Sequence, residues 1–177
     1  PEMDNWRNSL HHGLMVRHKD THIILTGGVD DIWQDTITKK LIVVDYKSQA
    51  KNSAVDPDEY LEDAYHDAYK TQMDFYAYLL LKMGFDVHRT AYFLVCNADR
   101  HKENFNQVMT FEESLVPYDW NAGWIEAEVD AMVALMNQHQ IPEPNESCKN
   151  CAYADQYARA VHGGNGESKP VQRRLFF

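Results

Sequence analysis

Cysteine is scarce in this chain and basic charge is in short supply. The three cysteines, Cys96, Cys148 and Cys151, cannot all pair internally, and two of them stand three positions apart. That argues against a disulfide framework and for a reducing compartment. No apolar run approaches the ~20 residues that a membrane-spanning helix requires, so no membrane role is expected. No basic start leads into an apolar stretch, so no secretory signal is expected and a cytoplasmic location is the default. Lys and Arg number 17 against 27 Asp and Glu, a formal net charge of −10. This argues against a broad basic face clamping duplex DNA, because nonspecific affinity comes largely from neutralised phosphates.

What is present suits a globular protein, with 44% hydrophobic residues, ten tyrosines and four tryptophans. At 177 residues the chain can bury one substantial core. A single domain is expected over residues 1–162, followed by a flexible tail over 163–177 that opens with Gly163-Gly164-Asn165-Gly166. Much of the acid is local, in Asp56, Asp58, Glu59, Glu62, Asp63 and Asp67. The basic residues Arg17, His18, Lys19, Lys39, Lys40, Lys47 and Lys51 precede it. Bound divalent cations would offset part of the remaining charge.

Hydrophobic periodicity predicts strands over 13–18, 22–33 and 41–47, forming an antiparallel meander with turns at Lys19-Asp20 and over 35–40. The period then becomes helical over 56–83, with Gly84 standing where a helix would end. A fourth strand is expected over 87–96 and a fifth over 107–111, with a polar loop between them. A second long helix is expected over 119–138, opened by Asp119 in a capping position. Ile141-Pro142-Glu143-Pro144-Asn145 reads as a stiff connector and 149–161 as a short helix. The order is β-β-β-α-β-β-α, an α/β core with a mixed sheet flanked by helices.

The informative region is Gly27-Gly28-Val29-Asp30-Asp31 followed on the next strand by Val43-Val44-Asp45-Tyr46-Lys47. Side chains alternate along a strand, so Asp45 and Lys47 share a face, and Asp30 near the preceding strand's end can meet them. Asp45 directly follows the apolar run Leu41-Ile42-Val43-Val44, so its charge extends a strand that looks buried. Burying charge is costly without a compensating partner. Mg²⁺ or Mn²⁺ takes such hard oxygen ligands while keeping several waters and binding substrate phosphate. The bland alternative is a turn at Asp30-Asp31 and a solvated Asp45–Lys47 ion pair.

Three motifs stand in order here: Gly27-Gly28-Val29-Asp30, then Asp45-Tyr46-Lys47, then Gln72-Met73-Asp74-Phe75-Tyr76 on the following helix. In this the chain resembles the RecB-like branch of the PD-(D/E)XK nucleases over roughly residues 22 to 155. The resemblance implies a restriction-endonuclease-like core and a Mg²⁺- or Mn²⁺-dependent deoxyribonuclease, exonuclease-like by analogy. It implies Asp30 and Asp45 as metal ligands, the Tyr46 carbonyl as a further ligand, and Lys47 as the catalytic lysine. Gln72 and Tyr76 would then position substrate, although Tyr65, Tyr69, Met73 and Tyr76 also read as an ordinary packing stripe.

Two departures qualify the resemblance. Many members carry an acidic or histidine ligand on an upstream helix, whereas only His11 and His12 could serve here, and a surface pair is the better expectation. Some relatives hold an iron–sulfur cluster on four cysteines; Cys148 and Cys151 alone argue against a cluster and against zinc, which takes four protein ligands at structural sites. DNA is the expected partner, as single strands or frayed ends entering at the sheet's edge, with a protein partner also open. The rival expectation is a catalytically degenerate nucleic-acid-binding or assembly module on the same fold.

Overall fold

The computed structural model describes residues 2–101, 107–140 and 147–162. The chain forms two compact units, Pro1–Ala134 and Leu135–Phe177.

The first unit opens with a short helix, α1 (Met3–Arg7), and a two-stranded antiparallel sheet, β1 (Leu14–Arg17) with β2 (Ile24–Gly27). A second sheet has the order β3-β4-β5-β6, from β3 (Asp31–Gln34), β4 (Leu41–Gln49), β5 (Thr90–Ala98) and β6 (Phe111–Asp119). β3 and β6 are antiparallel to their neighbours, while β4 and β5 are parallel. A parallel pair needs a crossover, and α2 (Asp67–Lys82) supplies it. The expected mixed sheet with flanking helices is therefore present. α2 buries Met73, Ala77, Leu79 and Leu80 completely, against a core that includes Val43, Phe93 and Val95. At about 1.5–3 kcal/mol per buried large aliphatic side chain, this face anchors the helix across the strands. Gly84, at φ +91°, ends it as expected. α3 (Ile125–Met136) adds Ile125 and Val129 to the same core.

Several boundaries differ from the sequence expectation. The single strand over 22–33 breaks at Gly28, and its halves join different sheets. At the break the Val29 N–H turns to the Trp6 carbonyl (3.2 Å) and its side chain enters the core. The helix over 56–83 begins only at Asp67, behind two 3₁₀ turns, Tyr60–Glu62 and Ala64–His66. Asp63 is extended there and accepts the Tyr65 N–H (2.9 Å). Like charges four apart, Glu59 with Asp63 and Asp63 with Asp67, oppose an α-helix through it. The fifth strand runs over Phe111–Asp119 rather than 107–111. Asp119, expected to cap a helix, instead closes β6 and accepts from Thr90 Oγ1 (2.8 Å) and Arg89 Nε (3.0 Å).

In the second unit α4 (Lys149–His162) forms where a short helix is expected. Cys148 and Cys151 are joined in a disulfide, where the sequence argues against one. One turn of chain places their Cα atoms 5.3 Å apart, inside the range a disulfide spans. The expected connector over 141–145 and the tail over 163–177 lie outside the described residues. Among the described residues no helix is long and apolar enough to cross a membrane.

Candidate active site

The register of β3 on β4 creates the site. β3 pairs with β4 only from Leu41 to Val44, where Asp31 faces Val44, so β4 continues from Asp45 to Gln49 without β3 beside it. β4 is thus an interior strand at its start and open on one side at its end. On that open side the Tyr46 N–H would lack a ladder partner, and Asp30 Oδ2 accepts it at 2.8 Å. This bond brings the Asp30 carboxylate beside Asp45, close enough for its charge to push the Asp45 carboxyl upward.

Asp45 is only 1% exposed. Its two oxygens are the buried side-chain polar atoms without a hydrogen-bond partner among the described residues. Lys47, two residues along the same strand face, places its ammonium in ion-pair contact with Oδ2. Burial raises the Asp45 carboxyl above its usual value; Lys47 pulls it back, and Asp30 adds to the rise.

The other wall comes from α2. Lys47 Nζ donates to Gln72 Oε1 (3.2 Å), and Gln72 Nε2 donates to the Tyr76 hydroxyl (2.7 Å). The i, i+4 spacing puts Gln72 and Tyr76 on one helix face. The same ammonium lies 4.3 Å from the centre of the Tyr69 ring, a cation–π contact. Burial raises the Tyr76 hydroxyl above its ordinary value, with Gln72 opposing the shift. Gly27 makes room for this arrangement, since a Cβ there would lie 2.8 Å from Tyr76 Cε1. The first residue of the first motif thus accommodates the last residue of the third.

Asp30 is held from behind by residues that the sequence did not single out. Arg7, at the end of α1, donates through Nε to the Asp30 carbonyl (2.7 Å) and through a terminal nitrogen to Asp31 Oδ1 (2.9 Å). Asp31 Oδ2 accepts from the Tyr46 hydroxyl (2.6 Å) and from Trp33 Nε1 (3.2 Å). Burial alone would raise the Asp31 carboxyl, but these donors and Arg7 bring it below its usual value. Tyr46 therefore ties the turn twice, by main chain to Asp30 and by side chain to Asp31. No motif spacing announces Arg7, because its contact spans 23 positions and a helix five residues long.

Chemically, two adjacent carboxylates, one buried with neither oxygen hydrogen-bonded and one oxygen paired with Lys47, present a concentrated hard-oxygen donor set. Among the described residues no group of three or more His, Cys, Asp or Glu converges. The set suits Mg²⁺ or Mn²⁺, which bind one or two carboxylates and retain water, better than a closed zinc site. A family model for the PD-(D/E)XK nuclease superfamily matches residues 4–156. The chain belongs to that superfamily. No curated protein and no solved structure matches the chain.

In this PD-(D/E)XK superfamily member the carboxylates, the lysine and the helix pair singled out in the sequence lie near one another. Asp30, Asp45, Lys47, Gln72 and Tyr76 are brought into one connected cluster. His11 and His12 are both exposed, as a surface pair would be. The resemblance alone did not identify Arg7, Asp31 or Tyr69 as parts of this cluster's surroundings.

Proposed function

We propose that this superfamily member is a RecB-like, metal-dependent deoxyribonuclease that hydrolyses phosphodiester bonds with Mg²⁺ or Mn²⁺, acting on single-stranded or frayed ends in an exonuclease-like manner. The observation that carries this reading is Asp45, a buried carboxylate with neither oxygen hydrogen-bonded, beside Asp30 and Lys47. A fold tolerates such a group where a cation compensates it. Asp30 and Asp45 would hold the ion. The Tyr46 carbonyl would join them, since an extended residue's N–H and C=O point to the same side and this N–H already meets Asp30. When bound, the ion supplies Lewis-acid polarisation of the phosphate and a water of lowered pKa.

Lys47 would stabilise the charge that develops on the phosphate, and Gln72 with Tyr69 holds its ammonium from the helix side. Tyr76 fixes Gln72 in turn, so Gln72 and Tyr76 act on substrate placement largely through Lys47. The side of β4 left open beyond Val44 supports entry of a strand end.

A second reading, a degenerate nucleic-acid-binding or assembly module, is favoured by the net charge of −10 and by the absence of a third converging ligand among the described residues. Calorimetric titration of Mn²⁺ into the wild type and Asp45→Ala, followed by incubation with end-labelled single-stranded and duplex DNA, separates the two. Binding and cleavage in the wild type, with cleavage down by on the order of 10³-fold or more in the variant, support the nuclease. A folded wild type that does neither overturns the nuclease reading for this chain and favours the module or an enzyme that needs a further segment or partner chain.

A further inference from the structure

The face of α2 that meets Lys47 is continued toward solvent by the 3₁₀ turn Ala64–His66 that precedes it. Tyr76, on α2, is 8% exposed, while Tyr65, in that turn, is 73% exposed. Between them lie Gln72 and Tyr69, which touch the Lys47 ammonium in addition to its ion pair with Asp45, one by a hydrogen bond and one by its ring. Tyr65 is not a loosely hanging ring. Its centroid is 6.0 Å from that of Tyr69 at 82° and 5.7 Å from that of His66 at 72°. His66 is itself buried and stacked between Tyr60 (4.2 Å, 19°) and Tyr69 (5.2 Å, 22°), with Nδ1 2.5 Å from the Tyr60 carbonyl oxygen. Both contacts made by Tyr65 are steep, so neither neighbour stacks face to face on it.

We propose that Tyr65 is a stacking platform for the nucleobase beside the scissile phosphate and that it selects unpaired strands, a specificity that rests on the nuclease reading above. From Lys47 to Tyr69 to Tyr65 is two ring contacts, a reach suited to the base of an adjoining nucleotide. The electrostatics of this end leave little alternative source of affinity. Asp56, Glu59 and Asp63 are exposed in the segment leading into α2 and Asp67 is exposed at its first position, and a phosphate backbone gains nothing from these carboxylates. Base–aromatic stacking is independent of charge, tolerates any base, and is available only where the base has left its own stack. A duplex keeps its bases stacked on one another and offers Tyr65 no face.

The test uses single-stranded DNA containing 2-aminopurine, with Ca²⁺ in place of Mn²⁺ for binding, and then Mn²⁺ for cleavage of matched intact, abasic and duplex substrates. Tyr65→Ala should weaken single-strand binding about tenfold, remove the 2-aminopurine quenching, and raise KM by the same factor with kcat unchanged. Tyr65→Phe should behave as wild type, and abasic strands and duplex should not distinguish the variants. Quenching and affinity unchanged in Tyr65→Ala, or an equal loss on abasic strands and duplex, overturns the platform while leaving the nuclease intact. A wild type that neither binds nor cuts any of these substrates overturns the nuclease reading and the platform with it.

Discussion

Asp45 on β4 and Asp74 on α2 are both buried carboxylates, 1% and 6% exposed, and their surroundings treat them in opposite ways. Asp74 accepts the Tyr118 hydroxyl (3.0 Å), the Asn121 N–H (2.8 Å) and Trp124 Nε1 (2.9 Å). These bonds tie α2 to the end of β6 and to the approach of α3, and burial together with Asp74 pushes the Tyr118 hydroxyl upward. Asp45 has no such donor, only the ion pair with Lys47, and a second carboxylate nearby. A buried charge fully supplied with donors holds a structure together. A buried charge left without them is costly to the fold, which directs attention to a ligand rather than to stability.

The comparison can be broken by exchanging what each carboxylate loses. Asp74→Ala should cost about 3 kcal/mol of stability, because three part-buried hydrogen bonds to one buried carboxylate are lost together. Urea denaturation measures this, and the fraction that remains folded should still cut. Asp45→Asn should leave stability unchanged or raise it while abolishing cleavage; a variant that unfolds would make Asp45 a structural carboxylate like Asp74. A smaller effect is expected at Arg7, which touches Asp30 only through its carbonyl and Asp31. Arg7→Ala should weaken Mn²⁺ binding about tenfold, as loss of a residue that orients a ligand typically does, with Arg7→Lys restoring part of it in the same calorimetric titration.

The smallest effect is the pH dependence of the metal-free protein. The folded Asp45 carboxyl lies above its usual value, so the native state keeps that proton to higher pH than the unfolded chain does. Its contribution to stability therefore falls as pH rises from the unfolded value of about 3.9 through the folded value, and is least favourable above both. Denaturation in EDTA across this window should show that fall in the wild type and lack it in Asp45→Asn.

The two carboxylates were also unequally legible. Asp45 stands at the end of an apolar strand and two residues before Lys47, a pattern visible in one line of sequence. Asp74 is hidden within a helical stripe, and its donors arrive from 44 to 50 positions away. The same distinction runs through the fold. The alternation of β4, the helical period that ends near Gly84 and the apolar β5 are local signals, and they placed the two strands and the end of α2 within a few residues, while the start expected at 56 lies eleven residues before Asp67. The break at Gly28, the extended Asp63 and the strand ending of Asp119 depend on partners distant in sequence or on crowded like charges, which periodicity does not register. Arg7 belongs with these, a contact made by folding rather than by spacing.

Gly27 carries a consequence of another kind. Tyr76 rests where a methyl group on residue 27 would be, and from Tyr76 the hydrogen bonds run through Gln72 to the ammonium of Lys47. The missing side chain is in effect a spacer of fixed thickness at the end of a lever. A single added carbon at Gly27, carrying no charge and touching no substrate, would be transmitted along three side chains to the cation beside Asp45, so the residue that contributes least chemistry sets the alignment of those that contribute most.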